Sequence, residues 1–170
     1  MAHVNRTTRW LRAAIVVPAA LIAAPMAHAA TTTDTMGISA TVLTACTLGT
    51  TSLAFGNYDP TSATDTDATA TLTITCTTGT SFTVGLNAGT TSGTTVSTRK
   101  MANGANRLSY ALYSNSGRTT NWGNTAGTDT PAAIVASSTA STMTVYGRVT
   151  ALQNVPAGAY SDTVTVTVNY

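Results

Sequence analysis

Apolar residues recur at every second position through most of this chain, and Thr, Ser and Gly fill the positions between them. Met36, Ile38, Ala40 and Val42 alternate in this way, so residues 35–45 read as an extended segment ending near Cys46. Leu53 and Phe55 lead into Gly56-Asn57-Tyr58-Asp59-Pro60, a turn-rich exit. Leu72, Ile74 and Cys76 share one face of a strand, with Thr71, Thr73 and Thr75 on the other. Phe82, Val84 and Leu86 repeat the pattern, as do Leu108, Tyr110 and Leu112, then Met143, Val145, Gly147 and Val149. Val164, Val166, Val168 and Tyr170 carry it to the last residue. Side chains of an extended strand return to the same face with a period of two. No stretch shows the period of an amphipathic helix.

Turn signals separate these segments. Asn87 to Thr95 reads as a loop or hairpin, with a short strand near Val96–Met101. Ser114-Asn115-Ser116-Gly117 and Pro156-Ala157-Gly158 are turns, and residues 121–137, with Gly123, Gly127 and Pro131, are mostly a long connection. About seven short strands without a helix predict an all-β antiparallel sandwich or barrel. No internal repeat of the roughly 20–50-residue solenoid period is visible.

The amino terminus does not follow this pattern. Arg6, Arg9 and Arg12 form a basic region, an apolar run from Ala13 to Ala27 follows, and Ala27-His28-Ala29 has small residues where a signal peptidase reads. That is the layout of a secretory signal peptide, expected over residues 1–29 and cleaved after Ala29. An uncleaved anchor is the rival, but a span needs about 20 apolar residues. This run is shorter and is interrupted by Pro18 and Pro25.

Removal of that segment reverses the charge. Three of the eight Lys and Arg leave with it, so five cations remain against six Asp. The sequence pI of 8.7 therefore describes the precursor and is no nucleic-acid footprint. Only Arg99 and Lys100 are adjacent, and no nucleic-acid partner is expected. Thr is abundant, Glu is absent and Lys100 is the single lysine. A disordered Thr-rich stalk is excluded by the regular apolar alternation within the Thr-rich parts. Branching at Cβ favours extended backbone instead.

Cys46 and Cys76 are the only cysteines. An even count behind a signal peptide predicts one bridge, with two buried free thiols as the alternative. Closing a loop of that size contributes about 3–4 kcal/mol by chain entropy.

Both histidines, His3 and His28, fall in the leader, so the exported chain has none. That removes Ser-His-Asp and Cys-His nucleophiles and every His-ligated metal site. No enzyme activity, cofactor or metal is expected. Asp65 and Asp67 are too few for a Ca²⁺ loop and read as a solvated turn. Trp122 sits in a Gly-rich connection and reads as a core lid, with exposure for binding as the alternative.

Three blocks then carry a resemblance. The first is Phe55-Gly56-Asn57-Tyr58-Asp59-Pro60. The second is Leu108-Ser109-Tyr110-Ala111-Leu112-Tyr113 with Gly117-Arg118-Thr119-Thr120-Asn121-Trp122-Gly123. The third is Val145-Tyr146-Gly147-Arg148-Val149, Gln153, and the run Pro156 to Val168. Over about residues 35–170 the chain resembles the spore coat protein U domain family, which includes the pilins of archaic chaperone-usher pili.

The resemblance implies an immunoglobulin-like sandwich that lacks its own final strand. A periplasmic pilus chaperone lends a strand, and an outer-membrane usher and neighbouring pilin subunits then complete the fold by strand addition. It places the Cys46–Cys76 pair on the first two main strands. Residues 30–45 serve as donor and first-strand segment, with Met36, Ile38, Ala40 and Val42 as donor candidates. Residues 46–170 form the body, and Val164, Val166, Val168 and Tyr170 are candidates for the chaperone-docking strand. The function implied is that of a structural subunit of a surface pilus or fimbria, passing through the periplasm to the cell surface, in the setting of adhesion and biofilm. A monomeric secreted coat or matrix protein and a fibre-tip adhesin are the alternatives.

Overall fold

The computed structural model describes residues 28–170, and the expected leader over residues 1–29 lies outside them apart from its last two positions. The chain divides into two units, Met1–Ala40 and Thr41–Tyr170. In the first, residues 28–40 are exposed and carry no regular secondary structure. The second holds β1 (Cys46–Thr50), β2 (Thr66–Cys76), β3 (Ser81–Leu86), β4 (Lys100–Asn103), β5 (Asn106–Ser109), β6 (Ala111–Tyr113), β7 (Ile134–Val135), β8 (Ser141–Val149) and β9 (Val166–Asn169).

These strands form a four-stranded sheet, β1-β2-β8-β6, a three-stranded sheet, β7-β3-β9, and a β4-β5 hairpin. Every pairing is antiparallel. The inward faces of β2, β3 and β8 supply most of the core. Leu72, Ile74, Phe82, Val84, Leu86 and Val149 are almost completely buried, each worth about 1.5–3 kcal/mol relative to exposure.

β2 extends further than the Leu72–Cys76 alternation alone suggests. Ala68 and Ala70 prolong its inward face, while Asp67 and Thr69 stand on the outward side. The strand pairs with β8 from Thr66↔Val149 to Ile74↔Ser141. The face expected from Leu108, Tyr110 and Leu112 divides into two strands. β5 pairs with β4, whereas β6 pairs with β8. Between them the Tyr110 N–H donates to the Arg99 carbonyl at 3.0 Å. The chain changes sheets at that corner, as strands in sandwiches do.

The long connection over residues 121–137 contains β7, which pairs at Ser81↔Val135 and Phe82↔Ile134. Trp122, only 1 % exposed, belongs to the core. Its indole N–H donates to the Val84 carbonyl at 2.8 Å, which satisfies its one polar atom. Cys46 and Cys76 lie directly opposite each other on β1 and β2 and are joined by a disulfide. The bridge ties the edge strand β1 to its sheet.

Candidate functional site

The sandwich is open along one side. A groove of about 1040 Å³ runs between residues 50–58 and residues 155–166. Its floor is the core itself, including Leu72, Leu86, Leu108, Leu112, Val145 and Val149.

Both walls have backbone to spare. β9 ends the order β7-β3-β9, so one of its sides has no strand partner among the described residues. Its register against β3 matches Val84 with Val168 and Leu86 with Val166. Val84 and Leu86 turn their backbone groups away from β9, since the Val84 carbonyl accepts from Trp122 and the Leu86 N–H donates to Gly123 at 2.8 Å. By the alternation of antiparallel ladders, Val166 and Val168 turn theirs toward the open side. On the opposite wall, no backbone–backbone hydrogen bond holds residues 52–58 among the described residues. Side chains hold that segment instead. Phe55 meets Tyr110 edge to face at 6.2 Å between ring centres. The Tyr58 hydroxyl donates to the Thr150 carbonyl at 3.0 Å and accepts from the Gln153 N–H at 2.8 Å. Leu53 and Phe55 enter over Gly147, where a Cβ would lie 2.9 Å from each.

A polar anchor fixes the approach to β9. Asp162 accepts from the Tyr110 hydroxyl at 2.7 Å, from the N–H and hydroxyl of Thr90 at 2.8 and 3.0 Å, and from the Thr163 N–H at 2.9 Å. Burial pushes this carboxyl up, but the four hydrogen bonds outweigh it and hold its pKa below the ordinary value. Burial also raises Tyr110, and its bond to Asp162 adds to the effect. Gly89, at φ +86, leaves the space that the Asp162 carboxylate occupies.

Behind this anchor lies a residue that the sequence pattern did not single out for any role. Arg99 is 0 % exposed. Its guanidinium donates to the carbonyls of Asn87, Val96, Leu86 and Trp122 at 2.7–2.8 Å. Desolvation lowers its pKa, opposed by Tyr110, Asp129 and Asp162. A buried cation persists only when its donors are matched, and these four bonds tie the loop after β3 to the core. Its presence beside Lys100 in a chain with so few charges was the available signal.

The candidate residues fall into separate groups. Val164, Val166 and Val168 are half-buried against the core, while Thr163 and Thr165 are exposed. Val164 and Val166 line the groove. Tyr170 lies beyond β9 and is 61 % exposed, so it does not share their inward face. Met36, Ile38, Ala40 and Val42 are exposed and belong to no strand; Ile38 reaches 85 %. Asp65 and Asp67 do not form a solvated turn. Arg148 on β8 donates to Asp67 at 2.8 and 2.9 Å and lies 3.2 Å from Asp65, and Arg118 lies 3.2 Å from Asp67. The Arg148 bonds hold Asp67 below the ordinary carboxylate pKa. Asp67 stands opposite Arg148 in the register, a cross-strand placement that only the fold creates. Exposed pairs of this kind contribute about 0–1 kcal/mol.

An open, disulfide-tied, all-β sandwich of this kind defines an immunoglobulin-like fold class. A chain in the crystal structure of the CsuC–CsuE chaperone–tip adhesion subunit pre-assembly complex, from archaic chaperone-usher Csu pili of Acinetobacter baumannii, shares the fold with a TM-score of 0.57. The identity there is 24 %, over 76 % of this chain and 40 % of that one, so this protein spans less than half the length of that neighbour. The profile of the Spore Coat Protein U domain matches residues 32–167, and the chain belongs to that family. It is also 37 % identical over 173 residues to Protein U of Myxococcus xanthus, covering 93 % of this chain and 96 % of that protein.

Proposed function

We propose that this protein is a structural subunit of a surface pilus or fimbria, assembled by the chaperone-usher route through donor-strand exchange. The observation that carries the reading is the apolar groove flanked on both sides by backbone without strand partners. Natural proteins cover, charge or shorten such edges because they template pairing with other chains. Charge is scarce here, with six Asp and no Glu in the whole sequence. An added strand is the remaining solution, and it buries side chains while pairing backbone.

The occupant in the fibre is the amino-terminal arm of another copy, through Met36, Ile38, Ala40 and Val42. Met36, Ile38 and Val42 at about 1.5–3 kcal/mol each, with about 0.8 kcal/mol for the Ala40 methyl, contribute roughly 5–10 kcal/mol before ordering costs. That matches the stability of a whole domain, about 5–15 kcal/mol, so the subunit depends on a donor. Before polymerisation a periplasmic chaperone supplies the strand, docking along Val164, Val166 and Val168, with Tyr170 at the end of that edge. An outer-membrane usher then passes the subunit to the cell surface. The Csu neighbour, itself from a chaperone–subunit complex, supports the chaperone partner. The role is structural, without catalysis.

The family's spore-coat description favours a second reading, a secreted coat or matrix protein that stays monomeric. One experiment separates the two. The chain is co-expressed with a candidate chaperone and examined by unboiled electrophoresis for a detergent-resistant ladder. Ile38→Asp or Val42→Asp is expected to abolish the ladder and retain the chaperone complex. Normal fibres from both variants would remove residues 35–43 as the donor, and a monomer that needs no chaperone would establish the coat reading.

A further inference from the structure

One side chain fixes the point at which the arm leaves the body. Thr77 follows β2, and its hydroxyl lies 3.2 Å from the Leu43 carbonyl and 3.4 Å from the Ala45 carbonyl. The same hydroxyl accepts from the Ala45 N–H at 3.1 Å, and the Thr77 N–H donates to the Ala45 carbonyl at 2.9 Å. The next residue, Cys46, is covalently tied to Cys76. The backbone is therefore pinned as far as the Leu43 carbonyl, whereas Val42, one residue earlier, is 82 % exposed.

The surroundings of this exit suit a protein contact. A shallow depression of about 420 Å³ is lined by Val42, Thr44, residues 77–81 and Tyr170. Thr77, Thr78, Gly79, Thr80 and Ser81 are all uncharged. Leu43 and Tyr170 stand exposed as large apolar side chains. Val42 and Leu43 at the pinned exit and Tyr170 in the depression beside it thus present exposed apolar side chains on an otherwise uncharged surface.

We propose that this pole seats the copy of the chain that receives the arm, with Thr77 as the positioning residue that sets the angle between successive subunits. The inference rests on the donor reading of residues 36–42. With Val42 in the neighbour's groove, the groove begins one residue from the pinned Leu43, and consecutive Cα atoms are about 3.8 Å apart. No free linker remains between the two bodies. The neighbour must abut this pole, and Leu43 and Tyr170 become contacts between subunits. Thr77 converts a chain connection into a fixed joint, because the bonds at its hydroxyl and its amide remove the torsional freedom of residues 43–45.

The test uses the full chain, co-expressed with its chaperone, in three forms beside the unmodified one. These are Thr77→Val, Thr77→Ser, and an insertion of Gly-Ser-Gly-Ser between Val42 and Leu43. The detergent-resistant ladder reports strand exchange, and negative-stain images report the spacing and angle between adjacent subunits. A ladder is expected from all four. The unmodified chain and Thr77→Ser should give one narrow distribution of angles, and Thr77→Val a broad one. The insertion should lengthen the repeat by up to ~14 Å and broaden the angles as well. An unchanged narrow distribution in both Thr77→Val and the insertion, with ladders present, overturns the joint and leaves the donor reading intact. Absence of a ladder from the unmodified chain overturns both. Should Thr77→Val fail to fold, the insertion decides alone, since every body residue keeps its place.

Discussion

Arg99 offers the sharpest test of how the loop after β3 is tied to the core. Replacing it with Met keeps an unbranched apolar stem but removes every donor, together with the volume of the guanidinium. Four carbonyls then lose their guanidinium partner, those of Leu86 and Trp122 in buried positions and those of Asn87 and Val96 in partly buried ones. An unsatisfied buried acceptor costs about 1–3 kcal/mol, so the two buried carbonyls alone predict a loss of about 2–6 kcal/mol. Relief from burying a cation offsets part of this. Arg99→Lys should lie between the two, because an ammonium has three donors and no planar fork. The assay is urea denaturation of the purified chain, alone and in the chaperone complex proposed above, read at fixed protein concentration as the midpoint shift at constant slope. Arg99→Met should also loosen the Asp162 anchor, since the guanidinium fixes the loop that carries Thr90. A midpoint for Arg99→Met within about 0.5 kcal/mol of the unmodified chain, the range of ordinary surface substitutions, would refute the reasoning.

Three further outcomes are expected. Asp162 has its folded-state pKa held below the unfolded value of 3.8. As pH falls the unfolded chain takes up the proton first, so the stabilisation is full above that value and is lost as pH drops through the folded pKa. Asp162→Asn should flatten the acid limb of a stability profile below about pH 4; an unchanged limb would place the acid sensitivity elsewhere. Gly147→Val puts side-chain atoms where Leu53 and Phe55 now lie, and overpacking of this kind costs about 1–3 kcal/mol. It should displace residues 50–58 and lower the yield of chaperone complex, whereas an undiminished yield would show that this wall is not needed for docking. The Cys46→Ser, Cys76→Ser double variant should lose about 3–4 kcal/mol, measured by denaturation under oxidising conditions, and a midpoint equal to that of the bridged protein would contradict the assignment of stability to the bridge.

What was legible in the sequence was whatever depends on a local period or on composition. Alternation placed strands at Leu72–Cys76, Phe82–Leu86, Met143–Val149 and the carboxyl-terminal valines, because burial on one face of a strand writes itself as a period of two. Two cysteines behind an expected signal peptide were enough for the bridge. The division at Tyr110 was not legible, since the alternation runs unbroken through a residue at which the chain changes partners. β7 was hidden for a related reason: two residues carry no period. Asp65 and Asp67 are near one another in sequence, but the residue that pairs with them, Arg148, is some 80 positions away and is brought opposite by the β2–β8 register. Arg99 shows the same limit most clearly. An arginine beside a lysine reads as surface charge, and only four carbonyls converging from three stretches of chain make its burial tolerable. The groove too belongs to the tertiary structure. Composition shows how little charge there is to protect an edge, but which edges stay open is decided by the strand order, and strand order is set by long-range packing that no local window contains.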